Sequence, residues 1–384
     1  MRIPFSNPEN IVWSLLAYRM ARQTMFNKRI DTFNNCHAIS TDKSLKLYTE
    51  TPDDFYSINN DFSPLSKIPD NPKTIHGKTL FCGGIIGHFG HMIVECLHRL
   101  WAIRETEYDN LLFTGRTKGN RRWNLIAIDA VGHMGGDPNK IIIVDYEDQL
   151  LLESLMVPER GATLKKIYPD NYNALLPKQQ KPKQGTKVFI TRRFLRNLGC
   201  LIGESYFAME LKKLGFIDFI PETHSFSEQI QTYLNAKQII AIEGSSLHTF
   251  DLIGEMAHCE IGIMNRRGWI EPRQLRKKFS KFSMIRSQII CSHAERRRSL
   301  GYIEPESAVK WLKEEFDINI KLDMAAFRDH EGATAINYVM KNIAYGQITP
   351  ENIAAIRQKI TRKDQKRTLK WLEDKLSKMI DYNA

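Results

Sequence analysis

The chain lacks long apolar runs, low-complexity tracts and any C-x-x-C pair. Its six cysteines lie far apart, which argues against a disulfide framework or a zinc knuckle and predicts buried thiols in a reducing compartment. The first apolar run, about eight residues before Arg19, is too short to span a membrane and is misplaced for a signal peptide. We therefore expect a cytoplasmic protein.

The length of 384 residues exceeds what one hydrophobic core usually supports, so two domains with an appendage are expected. The segment PKQQKPKQGTK, residues 177–187, has the composition of an interdomain linker. We accordingly predict an N-terminal domain over 1–180, a second domain over 181–300 and a helical appendage over 301–384. Leu369, Leu372, Leu376 and Ile380 give that appendage an amphipathic face, suited to packing across both domains or against a second subunit.

Apolar strand-like runs alternate with helical patterns on both sides of the linker, which predicts an α/β fold. In the first domain the predicted strands are 77–86, 110–115 and 140–146, and the predicted helices are 88–104 and 122–132. In the second domain the pattern is that of a Rossmann-like parallel sheet, with strands 187–193, 216–222, 237–244 and 260–265 and helices 204–214, 225–235 and 246–256.

Net charge is +11, and most of the excess positive charge falls in residues 265–300, which contain eleven basic and two acidic residues. Such a segment predicts an anionic partner, which could be membrane lipid, a polyanionic glycan or nucleic acid; a solvated face without a ligand is the alternative. Few aromatic residues interleave with these charges and no nucleic-acid-binding motif occurs, so nucleic acid is the least favoured partner.

Two predicted strands of the second domain end in residues suited to an anion. The first ends in Thr191, Arg192 and Arg193, with Arg196 close behind, and the third runs into Glu243-Gly244-Ser245-Ser246. Ligands of parallel sheets bind outside the carboxyl ends of the strands, where fixed cations and a glycine that permits close backbone approach favour a diphosphate. Either signal alone is weak, but together they predict a diphosphate-binding site.

The segment GHFGHMIVECLHRLW, residues 87–101, concentrates polar groups on an otherwise apolar helix. His91 and Glu95 are one helical turn apart, with His98 and Arg99 one turn further. An active-site wall and a partly buried helix with mutually paired polar groups both fit this pattern. A metal site of His88, His91 and Glu95 is disfavoured, because no fourth ligand and no H-E-x-x-H pattern is present.

This segment resembles the Gly-His-x-x-x-Glu-x-x-x-Arg-(Leu)-Trp signature of glycosyltransferase family 61, in its bacterial capsule-type branch. The resemblance covers about 185 residues, 81 to 265, and continues in order through Arg192, Arg196, Glu204, Gly215-Phe216, Phe226-x-Glu228-Gln229, Ala236 and the Gly244 loop. The family loop His-Gly-Ala-Gly-Leu-Thr-Asn stands here as Glu243-Gly244-Ser245-Ser246-Leu247-His248-Thr249, so a glutamate replaces the histidine beside the expected diphosphate.

The resemblance implies a GT-B architecture, with two facing Rossmann-like domains, the acceptor mainly on the first and a nucleotide-sugar mainly on the second. It also implies an inverting, metal-independent transfer to a glycan or to a lipid-linked or polysaccharide acceptor, with no cofactor beyond the nucleotide-sugar substrate. No D-x-D motif stands at a plausible strand end, which agrees with metal independence. An enzyme of this kind is expected in the cytoplasm, with a peripheral position at the inner membrane face or a homodimer as further options.

Residue roles follow from this expectation. The candidate catalytic residues are His91, as the base beside Glu95, and Glu243 as the second candidate base. We assign Arg192, Arg193, Arg196, Glu222, Gly244, Ser245, Ser246 and His248 to donor binding, and His88 and Arg99 to the acceptor side. Two other functions stay open: a catalytically inactive protein that binds a sugar nucleotide or acts as a scaffold, and a basic nucleic-acid-binding protein.

Overall fold

The computed structural model describes residues 30–40, 45–48, 62–64, 69–115, 121–158, 185–195, 199–267, 273–291, 299–344 and 348–383. Most of the predicted linker and Arg196 lie outside these ranges. The chain divides into two compact units, Met1–Pro177 and Lys178–Ala384, called here the first and the second unit. Both contain parallel strands and helices, which confirms the predicted α/β class.

The first unit contains a sheet whose seven described strands are ordered β3-β2-β1-β7-β4-β5-β6. Its strands are β1 Ile30–Ser40, β2 Leu45–Tyr48, β3 Phe62–Pro64, β4 Lys73–Gly84, β5 Asn110–Thr114, β6 Ile141–Val144 and β7 Gln149–Pro158. β4 to β7 are mutually parallel, whereas β1 runs antiparallel to β2 and β7. The three predicted strands are confirmed with slightly different bounds, and the sequence prediction lacked β1, β2, β3 and β7.

The segment after β4 is helical, as predicted over 88–104, but it is not one regular helix. It opens with the α-turn α1 Phe89–His91, continues as a π-helical stretch Met92–Cys96, and ends as a 3₁₀ stretch Leu97–Arg104. All residues from Leu97 to Ile103 are buried. Packing on every side therefore shapes this segment more than helix propensity does, and α2 Arg121–His133 is the next regular helix.

The second unit contains a parallel sheet, ordered β10-β8-β11-β12-β13 within the described residues, and a smaller sheet ordered β14-β15-β9. These strands are β8 Thr186–Ile190, β9 Cys200–Leu201, β10 Phe216–Phe219, β11 Ala236–Ile242, β12 Met256–Asn265, β13 Phe279–Arg286, β14 Gln288–Cys291 and β15 Leu300–Tyr302. The four strands predicted for this domain are confirmed, and all belong to the parallel sheet. From β8 the chain goes to β10 on one side, and then crosses to β11 on the other side of β8, which creates a topological switch point between β8 and β11.

Three helices connect these strands: α3 Glu204–Lys213, α4 Phe226–Leu234 and α5 Thr249–Leu252. The predicted capping box of α4 is confirmed, since the Glu228 N–H donates to Ser225 Oγ at 3.2 Å and the Ser225 N–H to Glu228 Oε2 at 2.7 Å. The predicted helix 246–256 is wrong in extent. It ends at Leu252, because Gly254 interrupts it and Met256 already pairs with Phe279 of β13.

Four helices follow the second sheet: α6 Pro305–Phe316, α7 Met324–Ala344, α8 Pro350–Lys359 and α9 Lys363–Asn383. Pro305 opens α6, and Thr349 caps α8 before Pro350, both as predicted. Leu369 and Leu372 are buried, and they share one apolar cluster with residues of the parallel sheet such as Phe189. No helix in the described ranges is long and apolar enough to cross a membrane.

The cysteines behave as the sequence predicts where their side chains are described. Each of these five is buried, namely Cys36, Cys82, Cys96, Cys200 and Cys259. Burial raises the pKa of the Cys36 thiol to about 12. Such thiols contribute to packing and are poor nucleophiles.

We expect Gly203→Ala to destabilise the second unit more than Gly215→Ala does. Both glycines have a φ of about +82°, so each substitution costs about 1 kcal/mol of backbone strain. A Cβ on Gly203 would lie 2.4 Å from Cε2 of the buried Phe327 ring, whereas a Cβ on Gly215 has nothing within 4 Å. Overpacking should add about 1–3 kcal/mol at Gly203 only. Thermal unfolding of both variants measures this difference, and equal midpoints would contradict the Gly203–Phe327 packing.

Candidate active site at the switch point

The carboxyl ends of β8 and β11 are adjacent in the second unit, because the two strands pair directly with Ile239 opposite Val188. β8 is followed by Thr191 and Arg192, and β11 by Glu243 and Gly244. The two sequence features that predict a diphosphate site are therefore neighbours, at the topological switch point where ligands of open parallel sheets bind.

Glu204, the first residue of α3, fixes the turn after β8. Its Oε1 accepts a hydrogen bond from Thr191 Oγ1 at 2.6 Å and another from the backbone N–H of Arg192. Burial raises the pKa of this carboxyl group, although both hydrogen bonds and the charge of Arg192 act in the opposite direction. Glu204 thus positions the backbone from which the Arg192 side chain extends.

The Arg192 side chain lies against the backbone of Gly244. A Cβ at position 244 would be only 2.5 Å from Arg192 Nη1 and 2.6 Å from Cδ, so a side chain there would displace the arginine. The φ of Gly244 is 178°, an extended value open to any residue, so glycine is needed here for space alone. Arg192 is 5% exposed, forms no ion pair with a described residue, and its Nε has no hydrogen-bond partner there.

Glu243 is the buried anion of this site, and two arginines that follow β12 hold it. Arg267 Nε lies 3.0 Å from Glu243 Oε1 and 2.9 Å from Oε2, and its Nη2 also donates to Oε1. Arg266 Nε lies 3.8 Å from Oε2, with both side chains 3% exposed. We call Arg192, Arg266 and Arg267 around Glu243 the arginine cluster.

The pKa shifts reflect this close packing of charges. Burial pushes the pKa of Glu243 upward, but the hydrogen bond from Arg267 and the charges of Arg266, Arg267 and Arg192 outweigh it, so the pKa is lowered. Burial and the neighbouring Arg192 lower the pKa of Arg266 to about 9. Glu243 therefore stays ionised at neutral pH.

Arg193, predicted to bind the donor, has a carboxylate partner on β10. Its Nη1 and Nη2 donate to Asp218 Oδ1 and Oδ2, each at 2.6 Å, and this pairing raises the pKa of Arg193. Glu222, half-buried in the turn after β10, is close enough to Arg193 to affect its pKa. Arg193 and Glu222 thus lie on the β10 side of the switch point, away from Gly244.

The residues after Gly244 form a short 3₁₀ turn, Ser245–His248, that leads into α5. Ser246 is buried and its Oγ has no hydrogen-bond partner among the described residues. His248 Nδ1 lies 3.0 Å from Oδ2 of Asp251, with the side chains 26% and 5% exposed. The predicted donor residues Ser245, Ser246 and His248 therefore share one loop with Gly244.

In the first unit, the predicted acceptor-side residues occupy the helical segment after β4. His88 caps α1, since the His91 N–H donates to His88 Nδ1 at 3.4 Å, and the two rings meet edge to face at 4.8 Å. Arg99 is 1% exposed, donates to the Pro158 carbonyl at the end of β7, and lies over the Phe81 ring at 5.4 Å. Arg99 thus ties the helical segment to its neighbouring strand, and the side chain of Glu95 lies outside what the structure describes.

Sequence reasoning did not identify Arg266, Arg267 or Asp251 as site residues. Arg266 and Arg267 follow a predicted strand, just as Arg192 and Arg193 do, so the carboxyl-end rule would have found them. The sequence interpretation instead includes Arg266 and Arg267 in the basic segment 265–300. Asp251 gave no sequence signal, because it is one acidic residue within an apolar helical pattern.

In the comparison with known families, the family described as Glycosyltransferase 61 matches residues 89–257. The match begins at α1, includes the residues around β8 and β11, and ends at the start of β12. A comparison with curated proteins found no match. Within the described residues, no group of three or more His, Cys, Asp or Glu side chains is placed to hold a metal ion.

We expect Glu243→Gln to destabilise the protein at neutral pH and to lose this effect in acid. Removing the carboxylate leaves Arg266 and Arg267 buried without their anion, a change that costs about 3 kcal/mol or more. Because the pKa of Glu243 is lowered in the folded protein, its contribution is present above the ordinary value of 4.5 and is lost as the pH falls through the folded value. The difference in unfolding midpoint between wild type and variant should therefore shrink below pH 4.5. A difference independent of pH would contradict the ion pair.

Proposed function

We propose that this chain, a glycosyltransferase with a Glycosyltransferase 61 match over residues 89–257, transfers a sugar from a nucleotide-sugar with inversion at the anomeric carbon. The diphosphate of the donor binds at the carboxyl ends of β8 and β11 in the second unit, and the acceptor binds on the first unit. Binding of donor and acceptor by different domains is characteristic of a GT-B enzyme. The acceptor is a glycan, or a lipid-linked or polysaccharide chain, as made by capsule-type enzymes.

The observation that supports this proposal most is the position of Arg192. A buried guanidinium without an ion pair is costly, since desolvation disfavours the charge. The nearby carboxylates of Glu204 and Glu243 interact with the charge of Arg192, but they accept their side-chain hydrogen bonds from Thr191 and Arg267. A diphosphate oxygen beside Gly244 would supply the missing anion and would form charge-assisted hydrogen bonds. The glycine permits this approach, because a side chain at position 244 would occupy the space of the Arg192 side chain.

Glu243 does not prevent the binding of an anion at this place. The family sequence has a histidine at this position. A glutamate without a cationic partner would repel a diphosphate, because both are anions. Here the carboxylate is held by Arg267 and Arg266, so its charge is compensated before any ligand binds. We propose that Glu243 orders these two arginines and acts neither as base nor as direct ligand.

We propose that the reaction needs no metal ion. The departing diphosphate accumulates negative charge in the transition state, and fixed guanidinium groups stabilise that charge without the reorganisation that water requires. The hydrogen bond from the Arg192 backbone N–H to Glu204 fixes the backbone of Arg192, which supports this role. Arg196, four residues further along the sequence, lies outside the described residues, and we propose that it adds to the donor site.

On the acceptor side we propose His91 and Glu95 as residues that contact the acceptor. The π-helical stretch after His91 supports this role, since such irregular turns within helices are frequent at functional sites. His88 supports it by capping the helix start. Arg99 contributes by holding the segment to β7.

We expect nucleoside diphosphates to stabilise the wild-type protein against heat, and Arg192→Gln to weaken their binding at least about tenfold, since a charged hydrogen bond is worth about 1.5–3 kcal/mol. The measurement is a thermal-shift titration with UDP, GDP, CDP, TDP and ADP, in the presence of Mg²⁺ and in excess EDTA. Arg276→Gln is the matched control, because it removes the same charge from an exposed position on the 3₁₀ turn before β13.

The results of this titration separate the alternatives. A shift for one nucleotide, equal in EDTA and lost in Arg192→Gln alone, supports the donor site. Equal losses in Arg192→Gln and Arg276→Gln would indicate unspecific charge attraction, and a requirement for Mg²⁺ would contradict metal independence. Binding of the nucleotide-sugar without transfer would indicate an inactive sugar-nucleotide-binding protein or scaffold. Where transfer occurs, proton NMR of the fresh product should show the anomeric configuration opposite to that of the donor.

We also propose that the basic segment 265–300 attracts an anionic membrane surface, although less strongly than its composition suggests. Several of its cations are used inside the protein: Arg266 and Arg267 contact Glu243, Lys278 Nζ donates to the Ile253 carbonyl at 2.7 Å, and Lys281 Nζ lies 3.4 Å from Glu315. Exposed cations include Arg276, Lys277 and Arg286.

We therefore expect weak binding to vesicles that contain anionic phosphatidylglycerol, at about 1 kcal/mol per surface cation. Sedimentation with these vesicles, compared with neutral phosphatidylcholine vesicles, measures it. The triple variant Arg276→Gln, Lys277→Gln, Arg286→Gln should bind less, and added salt should reduce wild-type binding. Equal binding to both kinds of vesicle would contradict the proposal.

A further inference from the structure

We infer that His248, oriented by Asp251, is the general base that takes the proton from the attacking hydroxyl. This inference rests on the proposed function. It changes the role that the sequence suggested for His248, from a ligand of the donor to the proton acceptor of the reaction.

The His248–Asp251 contact determines which ring nitrogen can act as a base. An aspartate carboxylate only accepts hydrogen bonds, so the hydrogen bond of 3.0 Å to Oδ2 places the proton of neutral His248 on Nδ1. Nε2 is then the nitrogen with an available lone pair. After Nε2 takes up a proton, the same carboxylate stabilises the imidazolium, which is the arrangement of a histidine base with its orienting acid.

The burial of Asp251 is difficult to explain by fold stability alone. Its side chain is 5% exposed, and its Oδ1 has no hydrogen-bond partner among the described residues. Burying a carboxylate whose described side-chain partner is a partly exposed histidine costs stability, compared with an apolar residue in this short helix. Other described histidines have different partners: His258 Nε2 lies 3.2 Å from the Leu234 carbonyl, and His76 meets Glu153 at an exposed surface.

The position of the pair suits the reaction. His248 lies four residues after Gly244 in the loop that follows β11, and 26% of its side chain is exposed. The donor phosphates are proposed to bind beside Gly244, so the reacting sugar would lie near this loop. Glu243, the other candidate base in the loop, is nearly fully buried and held by two arginines.

The proposed step is balanced in atoms and electrons. The oxygen of the acceptor hydroxyl forms a bond to the anomeric carbon of the donor sugar, while the bond from that carbon to the phosphate oxygen breaks. The electron pair of the broken bond leaves with the diphosphate, whose charge Arg192 stabilises. The proton of the hydroxyl passes to Nε2 of His248, and the resulting imidazolium later releases it to water.

The test uses the whole protein and three variants: His248→Gln, Asp251→Asn and, as matched control, His258→Gln. Turnover is the release of nucleoside diphosphate from the sugar nucleotide whose diphosphate binds in the thermal-shift titration, with water as the acceptor. We expect kcat to fall about 100-fold or more in both His248→Gln and Asp251→Asn, with KM and nucleoside diphosphate binding within about threefold of wild type. His258→Gln should keep the wild-type kcat.

A second measurement needs no ligand. Nitrogen-15 NMR of the histidine rings should show His248 with its proton on Nδ1 in the wild type. Asp251→Asn should shift the proton to Nε2, because an amide can donate to Nδ1. A His248 protonated on Nε2 in the wild type would overturn the inference irrespective of turnover.

The remaining outcomes distinguish this inference from the proposed function. If His248→Gln keeps the wild-type kcat, or loses nucleoside diphosphate binding without loss of kcat, His248 is not the base and the donor site stands. A wild type that binds a nucleoside diphosphate but cleaves and transfers no sugar would indicate the inactive sugar-nucleotide-binding protein, and would overturn both the transferase activity and this inference. A wild type that binds no nucleoside diphosphate would overturn the proposed function itself.

Discussion

The buried guanidinium of Arg192 is the constraint on which the site in the second unit depends. Its backbone is fixed by Glu204, its side chain needs a glycine at position 244, and it lies close enough to Arg266 to lower the pKa of that residue. Gly244 follows β11 and Arg266 follows β12, and the parallel pairing of β8, β11 and β12 brings both to the turn after β8. The site therefore depends on the register of three strands.

The elements of the second unit could be predicted from sequence because their signals are local. Apolar strands, the capping box at Ser225 and the proline at the start of α6 each lie within a few residues, and each is confirmed. The positions of Arg192 and Gly244 could be predicted for the same reason. Both follow apolar strands whose order in a Rossmann-like sheet can be inferred from the sequence pattern. The ion pairs from Arg266 and Arg267 to Glu243 could not be predicted from local sequence signals. They require β11 and β12 to be parallel neighbours that end at the same edge of the sheet.

The errors in the helices have a similar origin. The predicted helix 246–256 has enough apolar residues for its length, but the pairing of Met256 with β13 begins a strand there. The segment 88–104 has a helical pattern, yet its burial on all sides replaces the regular helix by π and 3₁₀ turns. In the first unit, the sequence prediction lacks β7 although Leu150, Leu152, Leu155 and Val157 are fully buried. Tertiary packing decided each of these cases over local propensity.

Glu243 stands where the loop of glycosyltransferase family 61 has a histidine. This difference changes which groups can accept or release a proton. A histidine beside the diphosphate could exchange protons near neutral pH, whereas Glu243 is committed to two arginines and its pKa is lowered. The same loop of this chain contains His248, five residues after Glu243, and its ring contacts the carboxylate of Asp251. If the reaction is inverting transfer, the proton acceptor need not come from the position that the family sequence suggests. In the proposed mechanism, the loop after β11 then separates two functions by position: Gly244 would give the diphosphate access to Arg192, and His248 would accept the proton on Nε2 while Asp251 accepts a hydrogen bond from Nδ1.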